Sequence, residues 1–313
     1  MPIHVMGQPK FVIEASEAET MAQSVGLPGV AHLLPALVKP AKALARPPIS
    51  NFHVAAVGLA SDGRVFIGVN VEFPGLPLSH SVHAEQFLVT NLLAHGGPRL
   101  VSLAVSAAPC GHCRQFLQEL RYSSSLQILI SSQSEDDVIP KPGDVTFTPL
   151  SQFLPSHFGP FDLLDHESPL LLEPHNNGLS LSEIVGDSNF AYNSILLKIS
   201  ALEAANESHA PYSHCPSGVA LMDCEGKVYK GSYTESVAHN PSLGPVQAAL
   251  IAFIAGGGGG FERIVAAALV EKEDPPVRQE DTANLLLKVI SPKCEFKVYH
   301  CPSDANLCKK AST

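Results

Sequence analysis

The sequence has no run of eighteen apolar residues, and it begins without a charged stretch followed by an apolar one. The first absence excludes a membrane-spanning helix, and the second leads us to expect no secretory signal peptide. Cysteine is also scarce: seven among 313 residues is too few, and an odd number, for a secreted disulfide scaffold. We therefore expect a cytosolic protein without a membrane partner, in which paired cysteines serve a metal or a redox reaction.

Basic residues are outnumbered, with 20 Lys and Arg against 30 Asp and Glu, which gives a net charge of −10. A negatively charged protein repels phosphate backbones, so we expect no nucleic-acid partner, although a local basic patch would be compatible with this total. The chain is long enough for two ordinary domains or one large one. It needs no covalent staples, because a chain of this length buries roughly 75% of its unfolded surface.

The N-terminal segment, 1–48, reads as short helices interrupted by prolines. From Phe52 the pattern becomes two strand-like runs joined by the turn "SDG", then a helix ending at two glycines, a buried strand, a second helix and another strand. This alternation favours a sheet covered by helices. Residues 135–180 have loop chemistry and read as a linker with short inserts.

The same pattern then returns, because residues 217–260 resemble residues 53–97. Placing Gly68 on Gly231 aligns turn with turn and helix with helix without a gap, so the chain carries an internal duplication. In this alignment His83 becomes Val246, Glu85 becomes Ala248, and the run of five glycines is a helix exit. One copy keeps a set of polar residues that the other copy does without.

These observations predict four segments. They are an N-terminal helical segment over 1–48, a catalytic domain over 49–155, a linker over 156–180 and a degenerate, non-catalytic domain over 181–313.

The residues that distinguish the first copy are His83, Glu85, Cys110 and Cys113. One imidazole and two thiolates are a usual ligand set for a catalytic Zn²⁺, which leaves a fourth position for water. A C-x-x-C at a helix start turns both sulfurs toward one ion, and the helix dipole favours their thiolate form. Glu85 is then placed to take a proton from water on the metal. With Pro109, these residues complete the H-x-E…P-C-x-x-C signature of zinc-dependent nucleobase deaminases.

Each residue also has a purely structural interpretation. The two cysteines could be buried thiols or a redox pair, His83 a core histidine and Glu85 a solvated residue at a helix start. We expect His112 to point away from the metal. Three further cysteines lack an accompanying histidine pattern apart from His300, and we expect them to be inert thiols: Cys294, Cys301 and Cys308.

The chain resembles the homodimeric cytidine deaminases, in which each subunit carries one active and one degenerate domain. The resemblance covers nearly the whole chain and includes "PISNFHVAAV", "GVNVEF", "HAEQ", "PCGHCRQFLQEL", "LPSHFGPFDLL", "HAPYSHCPSGVAL", "GSYTESVAHNPSL" and "VQAALIAFI". It implies a three-layer α/β/α fold with a mixed sheet of about five strands per domain, duplicated within the chain. It also implies one Zn²⁺ per subunit, bound by His83, Cys110 and Cys113, and a homodimer.

The same resemblance assigns substrate contacts. Asn70 and Glu72 would bind the ribose, where a carboxylate and an amide suit a sugar hydroxyl and the carboxylate would repel a phosphate. Phe52 would pack on the pyrimidine, and backbone groups of Ala84 and Ala108 would read the edge of the base. Phe158 would reach the site of the neighbouring subunit. Solvated strand-end residues, for Asn70 and Glu72, and core packing, for Phe52, are the structural alternatives.

The resulting expectation is hydrolytic deamination of cytidine and deoxycytidine, in pyrimidine salvage, with Glu85 as the proton carrier. Two alternatives remain open. One is an editing deaminase that acts on RNA or DNA, which the acidic charge and the lack of a basic, aromatic stripe disfavour. The other is a non-catalytic zinc-binding scaffold, in which Glu85 would be idle.

Overall fold

The structure is a computed structural model that describes residues 10–131, 143, 145–181 and 192–302. Within it the chain divides into two compact units. Unit 1 is Met1–Glu173 together with Ser236–Pro241, and unit 2 is Pro174–Glu235 together with Ser242–Thr313. Cys308 and most of the tail after residue 300 lie outside the described residues.

The first unit is a six-stranded mixed sheet in the order β1-β3-β2-β4-β5-β6. Its strands are antiparallel except for the parallel pair β4 and β5. The strands are β1 (Val12–Ile13), β2 (Ala55–Ala60), β3 (Val65–Val69), β4 (Leu100–Val105), β5 (Gln127–Ile130) and β6 (Thr148–Pro149). The helices are α1 (Ala15–Ser24), α2 (Val30–Lys42), α3 (Ala84–Ala94), α4 (Gly111–Phe116) and α5 (Leu150–Phe153). The predicted order of strand, strand, helix, strand, helix, strand is confirmed from β2 to β5.

Helices cover this sheet because its strands are too apolar to face water. Successive residues of β3 are all buried, which means that both faces of the strand are covered. Helix α2 packs against β2 and β4, and α3 packs against β3 and β2. The turn of the β2–β3 hairpin places Gly63 at a φ of +86°, a conformation that favours glycine. The hairpin predicted from "SDG" is therefore present.

The N-terminal and linker segments are part of unit 1 up to Glu173. The predicted N-terminal helices are α1 and α2, and β1 adds a short strand that pairs with β3. At the other end, the Arg121 guanidinium pairs with the Glu173 carboxylate and donates hydrogen bonds to the carbonyls of His166 and Ser168. These bonds tie an irregular stretch of chain to one side chain in the connection between α4 and β5.

The second unit repeats the central part of this arrangement. Its described residues form a four-stranded mixed sheet in the order β10-β9-β7-β8, with β9 and β10 parallel and the other pairs antiparallel. The strands are β7 (Ser217–Asp223), β8 (Val228–Ser232), β9 (Ile264–Lys272) and β10 (Glu295–Cys301), and the helices are α6 (Tyr192–Asn206), α7 (Pro245–Ala255) and α8 (Glu280–Ile290). The duplicated α/β fold with a mixed sheet is confirmed, and the two units carry six and four described strands rather than about five each.

The gap-free alignment of the two copies was wrong beyond β8. In the first copy Val71 bridges Val82. The gap-free alignment places these two residues on Thr234 and Pro245, so it predicts a bridge between Thr234 and Pro245. Thr234 however bridges Leu243, which lies two positions before Pro245. The second copy therefore lacks two residues in the loop before α7. The connection after α7, which contains the glycine run, is longer than its counterpart in the first copy by three residues. It therefore makes up for the two missing residues and adds one more, because Leu100 corresponds to Ile264 in the next strand. A loop deletion of this kind leaves the hydrophobic pattern of the helix intact and is therefore invisible to pattern matching.

Candidate metal centre

Three sulfur and nitrogen atoms converge where helices α3 and α4 begin. His83 is the residue before α3, Cys110 is the residue before α4, and Cys113 lies in its first turn. The Nδ1 atom of His83 is 3.5 Å from Sγ of Cys110 and 3.3 Å from Sγ of Cys113, and the two sulfurs are 3.7 Å apart. Zn–S and Zn–N bonds of ordinary length in a tetrahedral site separate such atoms by about 3.5–3.8 Å. The residues present therefore fit a zinc ion.

The electrostatics of this cluster favour a cation. Hydrogen bonds with Cys113 and His83 lower the pKa of the Cys110 thiol to about 3. The pKa of the Cys113 thiol is raised by the hydrogen bond between Cys113 and Cys110 and by the burial of Cys113. Both sulfurs are therefore thiolates together only when a positive ion lies between them. The same contact with Cys110 raises the pKa of His83.

Glu85 lies beside the three ligand atoms and is only 4% exposed. Its Oε2 atom is 3.2 Å from Sγ of Cys113. Burial raises the pKa of this carboxyl, which brings it closer to neutral pH, where a group that accepts and then donates a proton works best. Its position in the first turn of α3 and its burial rule out the interpretation as a solvated residue at a helix start.

A residue that the sequence analysis missed holds the start of α3. The side-chain oxygen of Gln86 accepts the backbone N–H of His83 at 3.2 Å, and its amide nitrogen donates to the carbonyl of Pro241 at 3.0 Å. Gln86 thus fixes the backbone of a ligand residue. The capping-box pattern pairs such a glutamine with Ser or Thr before the helix, and His83 stands there instead, so the sequence carried only half of this signal.

Pro241 belongs to a segment of unit 1 that comes from the second half of the sequence, Ser236–Pro241. The backbone N–H of Val237 in this segment donates to the carboxylate of Glu119 at 2.7 Å. Glu119 is fully buried and follows α4, which carries the two cysteines. The segment is therefore bonded to α3 and to the 3-10 turn that directly follows α4, and nothing in the sequence pattern indicated this.

His112 is not among the three converging ligand residues, as expected. The expectation that it points away from the site is corrected in part, because its ring stacks on the ring of His83 with centroids 4.9 Å apart. Burial lowers the pKa of His112, so a neutral ring lies against the ligand imidazole.

The candidate substrate residues Phe52, Asn70 and Glu72 lie before β2 and just after β3. Phe52 is 56% exposed, which excludes core packing as its role. Asn70 clamps the chain around it, because its oxygen accepts the N–H of Val54 and its nitrogen donates to the carbonyl of Phe52. Glu72 accepts the N–H groups of Ile49 and Ser50 and the hydroxyl of Ser50. Burial opposes the charge of Glu72, but these bonds prevail and lower its pKa, so the group is a carboxylate.

The remaining candidate residues occupy three different positions. Ala84 is buried, and a Cβ atom added to Gly68 would come within 2.2 Å of its carbonyl oxygen, so this carbonyl lies against β3. Ala108 is exposed between β4 and Cys110. Phe158 is 48% exposed, and its carbonyl accepts a bond of 2.5 Å from the side chain of Gln115 in α4. This bond holds the backbone of Phe158 against α4, the helix that contains Cys113.

The second copy has neither the ligands nor the proton carrier. With the loop deletion taken into account, His83 corresponds to Gly244 and Glu85 to Val246, where we expected Val246 and Ala248. Both Gly244 and His83 occupy the extended position before their helix. The conclusion that this copy is degenerate is unchanged. In the part of the chain that the structure describes, no helix has the length and apolar character needed to cross a bilayer.

Comparison with known proteins agrees with this geometry. Residues 31–127 and 150–284 match two models of the cytidine and deoxycytidylate deaminase zinc-binding region. The chain is 59% identical to cytidine deaminase 1 of Arabidopsis thaliana over 95% of this chain and 99% of that protein. It is 51% identical to cytidine deaminase 6 of the same plant over 93% and 98%, and 42% identical to a cytidine deaminase of Yersinia pestis (strain Pestoides F) over 77% and 73%.

Two matched regions, one in each half, define a protein with a duplicated zinc-type deaminase domain. The chain belongs to the cytidine deaminase family of enzymes, in the form that carries two deaminase domains in one chain.

Proposed function

We propose that the chain catalyses the hydrolytic deamination of cytidine and deoxycytidine to uridine and deoxyuridine with release of ammonia, in pyrimidine salvage. The observation that carries the proposal is the buried carboxyl of Glu85 beside the three convergent atoms of His83, Cys110 and Cys113. These three residues hold one Zn²⁺, and Glu85 is the catalytic acid and base. The relatives named cytidine deaminase support this substrate.

Zinc in such a site supplies Lewis acidity and a water-derived nucleophile at neutral pH. Glu85 takes a proton from the attacking water and delivers it to N3 of the base, which makes C4 electrophilic. The water oxygen forms a bond to C4, Glu85 takes the second water proton and gives it to the amino nitrogen, and the bond from C4 to that nitrogen breaks as ammonia leaves and the C4 carbonyl forms. Its raised pKa suits this alternation, because the carboxyl must accept and release protons within one turnover.

Residues around β3 bind the nucleoside. The carboxylate of Glu72, which keeps an acceptor position beyond its bond to Ser50, receives a ribose hydroxyl, and Asn70 positions the chain beside it. The exposed ring of Phe52 packs on the pyrimidine, and backbone groups of Ala84 and Ala108 read the base edge. A negative charge at the sugar disfavours phosphorylated substrates, which supports a free nucleoside.

We also propose a homodimer in the cytosol with one Zn²⁺ per subunit and no nucleic-acid partner. Large apolar side chains on unit 1 that are 48–69% exposed support a protein partner: Leu78, Phe158 and Leu163. In this dimer Phe158 reaches the neighbouring subunit's site. The net charge of −10 supports the absence of nucleic acid.

The test is to mix the purified chain with cytidine and follow ultraviolet absorbance alongside ammonia release and zinc content. Conversion to uridine with stoichiometric ammonia is expected. Zinc without turnover would replace the proposal with a zinc-binding scaffold. Salt-sensitive retention on single-stranded nucleic acid, with deamination of that strand and not of cytidine, would replace it with an editing enzyme.

A further inference from the structure

A second group of potential metal ligands lies in unit 2, at the carboxyl ends of the parallel strands β9 and β10. Glu271 of β9 and His300 of β10 are direct partners in the strand ladder, and Glu280 is the first residue of α8. The Nε2 atom of His300 is 3.7 Å from Oε1 of Glu271 and 3.3 Å from Oε2 of Glu280. All three ligand atoms lie within 4.8 Å of one another. The two distances from His300 are close to those among the three atoms of the candidate zinc centre.

The carboxylate of Glu271 is the unusual member of this group. Only 2% of its side chain is exposed. Its Oε2 atom accepts the backbone N–H of Gln279 at 2.8 Å, whereas its Oε1 atom, on the side of His300, has no hydrogen-bond donor among the described residues. A buried carboxylate oxygen without a donor is costly unless a proton or a cation satisfies it. Burial also raises the pKa of this carboxyl, because the charged form loses its contact with water.

A second orphaned oxygen lies close by. The side-chain oxygen of Gln247 is buried without a donor among the described residues. A Cβ atom added to Gly244 would lie 2.5 Å from this oxygen and 3.6 Å from the side-chain oxygen of Gln279, the residue whose N–H bonds to Glu271. Gly244 is the counterpart of His83, so unsatisfied oxygens collect in the part of unit 2 that corresponds to the zinc centre.

The strand register supports the same correspondence. Val105 pairs with Ala56 in the first copy and Leu269 with Val219 in the second, so Glu271 takes the place of Ala107, two residues beyond the paired position. Gln279 precedes α8 as Cys110 precedes α4. The second copy thus has no cysteine at the start of α8, but it has an acid, Glu271, on the strand that leads to this helix.

The basic groups nearby do not neutralise both acids. Arg278 faces the cluster, and its guanidinium bonds to Asp274 at 2.6 Å. Among the residues that the structure describes, His300 is the basic group that pairs with Glu271 and Glu280, and it is neutral when its Nε2 atom binds a metal.

We propose that Glu271, Glu280 and His300 bind a second divalent metal ion, with water completing its coordination. Two carboxylates and an imidazole suit Mn²⁺ and Zn²⁺, and both carboxylates offset the positive charge of the ion. The site lies wholly within unit 2 and does not depend on the proposed deamination. Metal content above one ion per chain follows from it.

The test uses the full chain loaded with zinc at the thiolate centre, which binds Zn²⁺ far more strongly than Mn²⁺ because thiolates are soft ligands. Mn²⁺ is added, and electron paramagnetic resonance measures the free ion. We expect one Mn²⁺ per chain with a dissociation constant in the range of about 10⁻⁵–10⁻³ M, as for partly exposed oxygen-rich sites. Glu271→Gln and His300→Gln should each weaken binding at least about tenfold.

Asp281→Asn is the matched control, because Asp281 is an exposed acid on the same helix outside the cluster, and it should bind Mn²⁺ like the unaltered chain. Thermal unfolding and zinc content verify that each variant is folded. If the unaltered chain does not bind Mn²⁺, His300 forms only an ion pair with the two acids. If Glu271→Gln binds Mn²⁺ as tightly as the unaltered chain does, the ion lies elsewhere. Either result overturns the proposal, whereas loss of cytidine turnover alone bears only on the zinc centre.

Discussion

Glu235 makes in unit 2 the same three hydrogen bonds that Glu72 makes in unit 1. Glu72 accepts the N–H groups of Ile49 and Ser50 and the Ser50 hydroxyl, and Glu235 accepts those of Tyr212 and Ser213 and the Ser213 hydroxyl. The second copy has Gly244 and Val246 in place of His83 and Glu85 and still keeps this carboxylate. The clamp is therefore part of the fold, and the sugar binding proposed for Glu72 would be additional to it.

This pair gives a matched test of ribose binding. Glu72→Gln and Glu235→Gln should each lower the free energy of unfolding by about 1–2 kcal/mol, because each weakens charge-assisted bonds to the backbone. Only Glu72→Gln should also reduce kcat/KM for cytidine, by about 10–100-fold, through loss of a bond to the sugar. Steady-state kinetics and chemical denaturation measure both effects. Equal kinetics in the two variants would leave Glu72 a purely structural residue.

Gly68 and Gly231 provide a second matched pair. A Cβ atom on Gly68 would lie 2.2 Å from the carbonyl of Ala84 and 2.4 Å from the nitrogen of Leu88, and one on Gly231 would lie 2.0 Å from the nitrogen of Ala249. These neighbours are backbone atoms, so the helix must move. We expect each alanine variant to lose about 3 kcal/mol of stability or more.

The two alanine variants, Gly68→Ala and Gly231→Ala, should differ in the amount of zinc that they retain. Gly68→Ala displaces α3, which carries Glu85 and follows His83, so folded Gly68→Ala protein should retain less zinc than the unaltered chain. Gly231→Ala should keep its zinc. Metal analysis of the folded fraction, together with thermal unfolding, distinguishes them, and full zinc occupancy in Gly68→Ala would mean that α3 does not position the ligand.

The surroundings of Asp223 lead us to predict that the stability of the fold depends on pH. Burial opposes its charge, but the hydroxyl of Tyr229 and the N–H groups of Lys227 and Glu225 donate to it, and together they lower its pKa. A carboxyl with a lowered folded pKa stabilises the fold above its unfolded pKa of about 4, and this contribution is lost as the pH falls through the folded value.

Asp223→Asn should therefore cost about 1–3 kcal/mol near pH 7, and the difference from the unaltered chain should narrow below about pH 4. Glu225→Gln is the control, since its carboxylate is exposed and pairs with Arg263 at the surface, where ion pairs contribute little. Urea denaturation across the pH range measures both. A cost for Asp223→Asn that stays constant from neutral to strongly acidic pH would assign it to lost packing.

The sequence predicted the strands and helices from β2 to β5 and the convergence of His83, Glu85, Cys110 and Cys113, because apolar periodicity and ligand spacing are local patterns. Relations between distant segments were beyond it. The bond from Val237 to Glu119 joins residues 118 positions apart, and no pattern marks either partner. The two-residue deletion before α7 was missed because the helix is apolar on all sides, so a small slip in the alignment leaves its pattern unchanged.

The same limit applies to Glu271 and His300. Each is unremarkable in the sequence, and they become neighbours only through the register of β9 with β10. The equivalence of Glu72 and Glu235, by contrast, was present in the repeat once Gly68 is placed on Gly231, and it required only that the second copy be read for what it retains.

The most direct test of the account is zinc content and cytidine turnover measured together on Glu85→Gln. The amide keeps the shape of Glu85 and leaves the ligands His83, Cys110 and Cys113 unaltered, so zinc bound at these residues should match the unaltered chain. Turnover should fall by a factor of about 10²–10⁴ or more, because no other buried acid lies beside the three ligands among the described residues. Turnover close to that of the unaltered chain, with zinc in place, would contradict the role of Glu85 as the proton carrier.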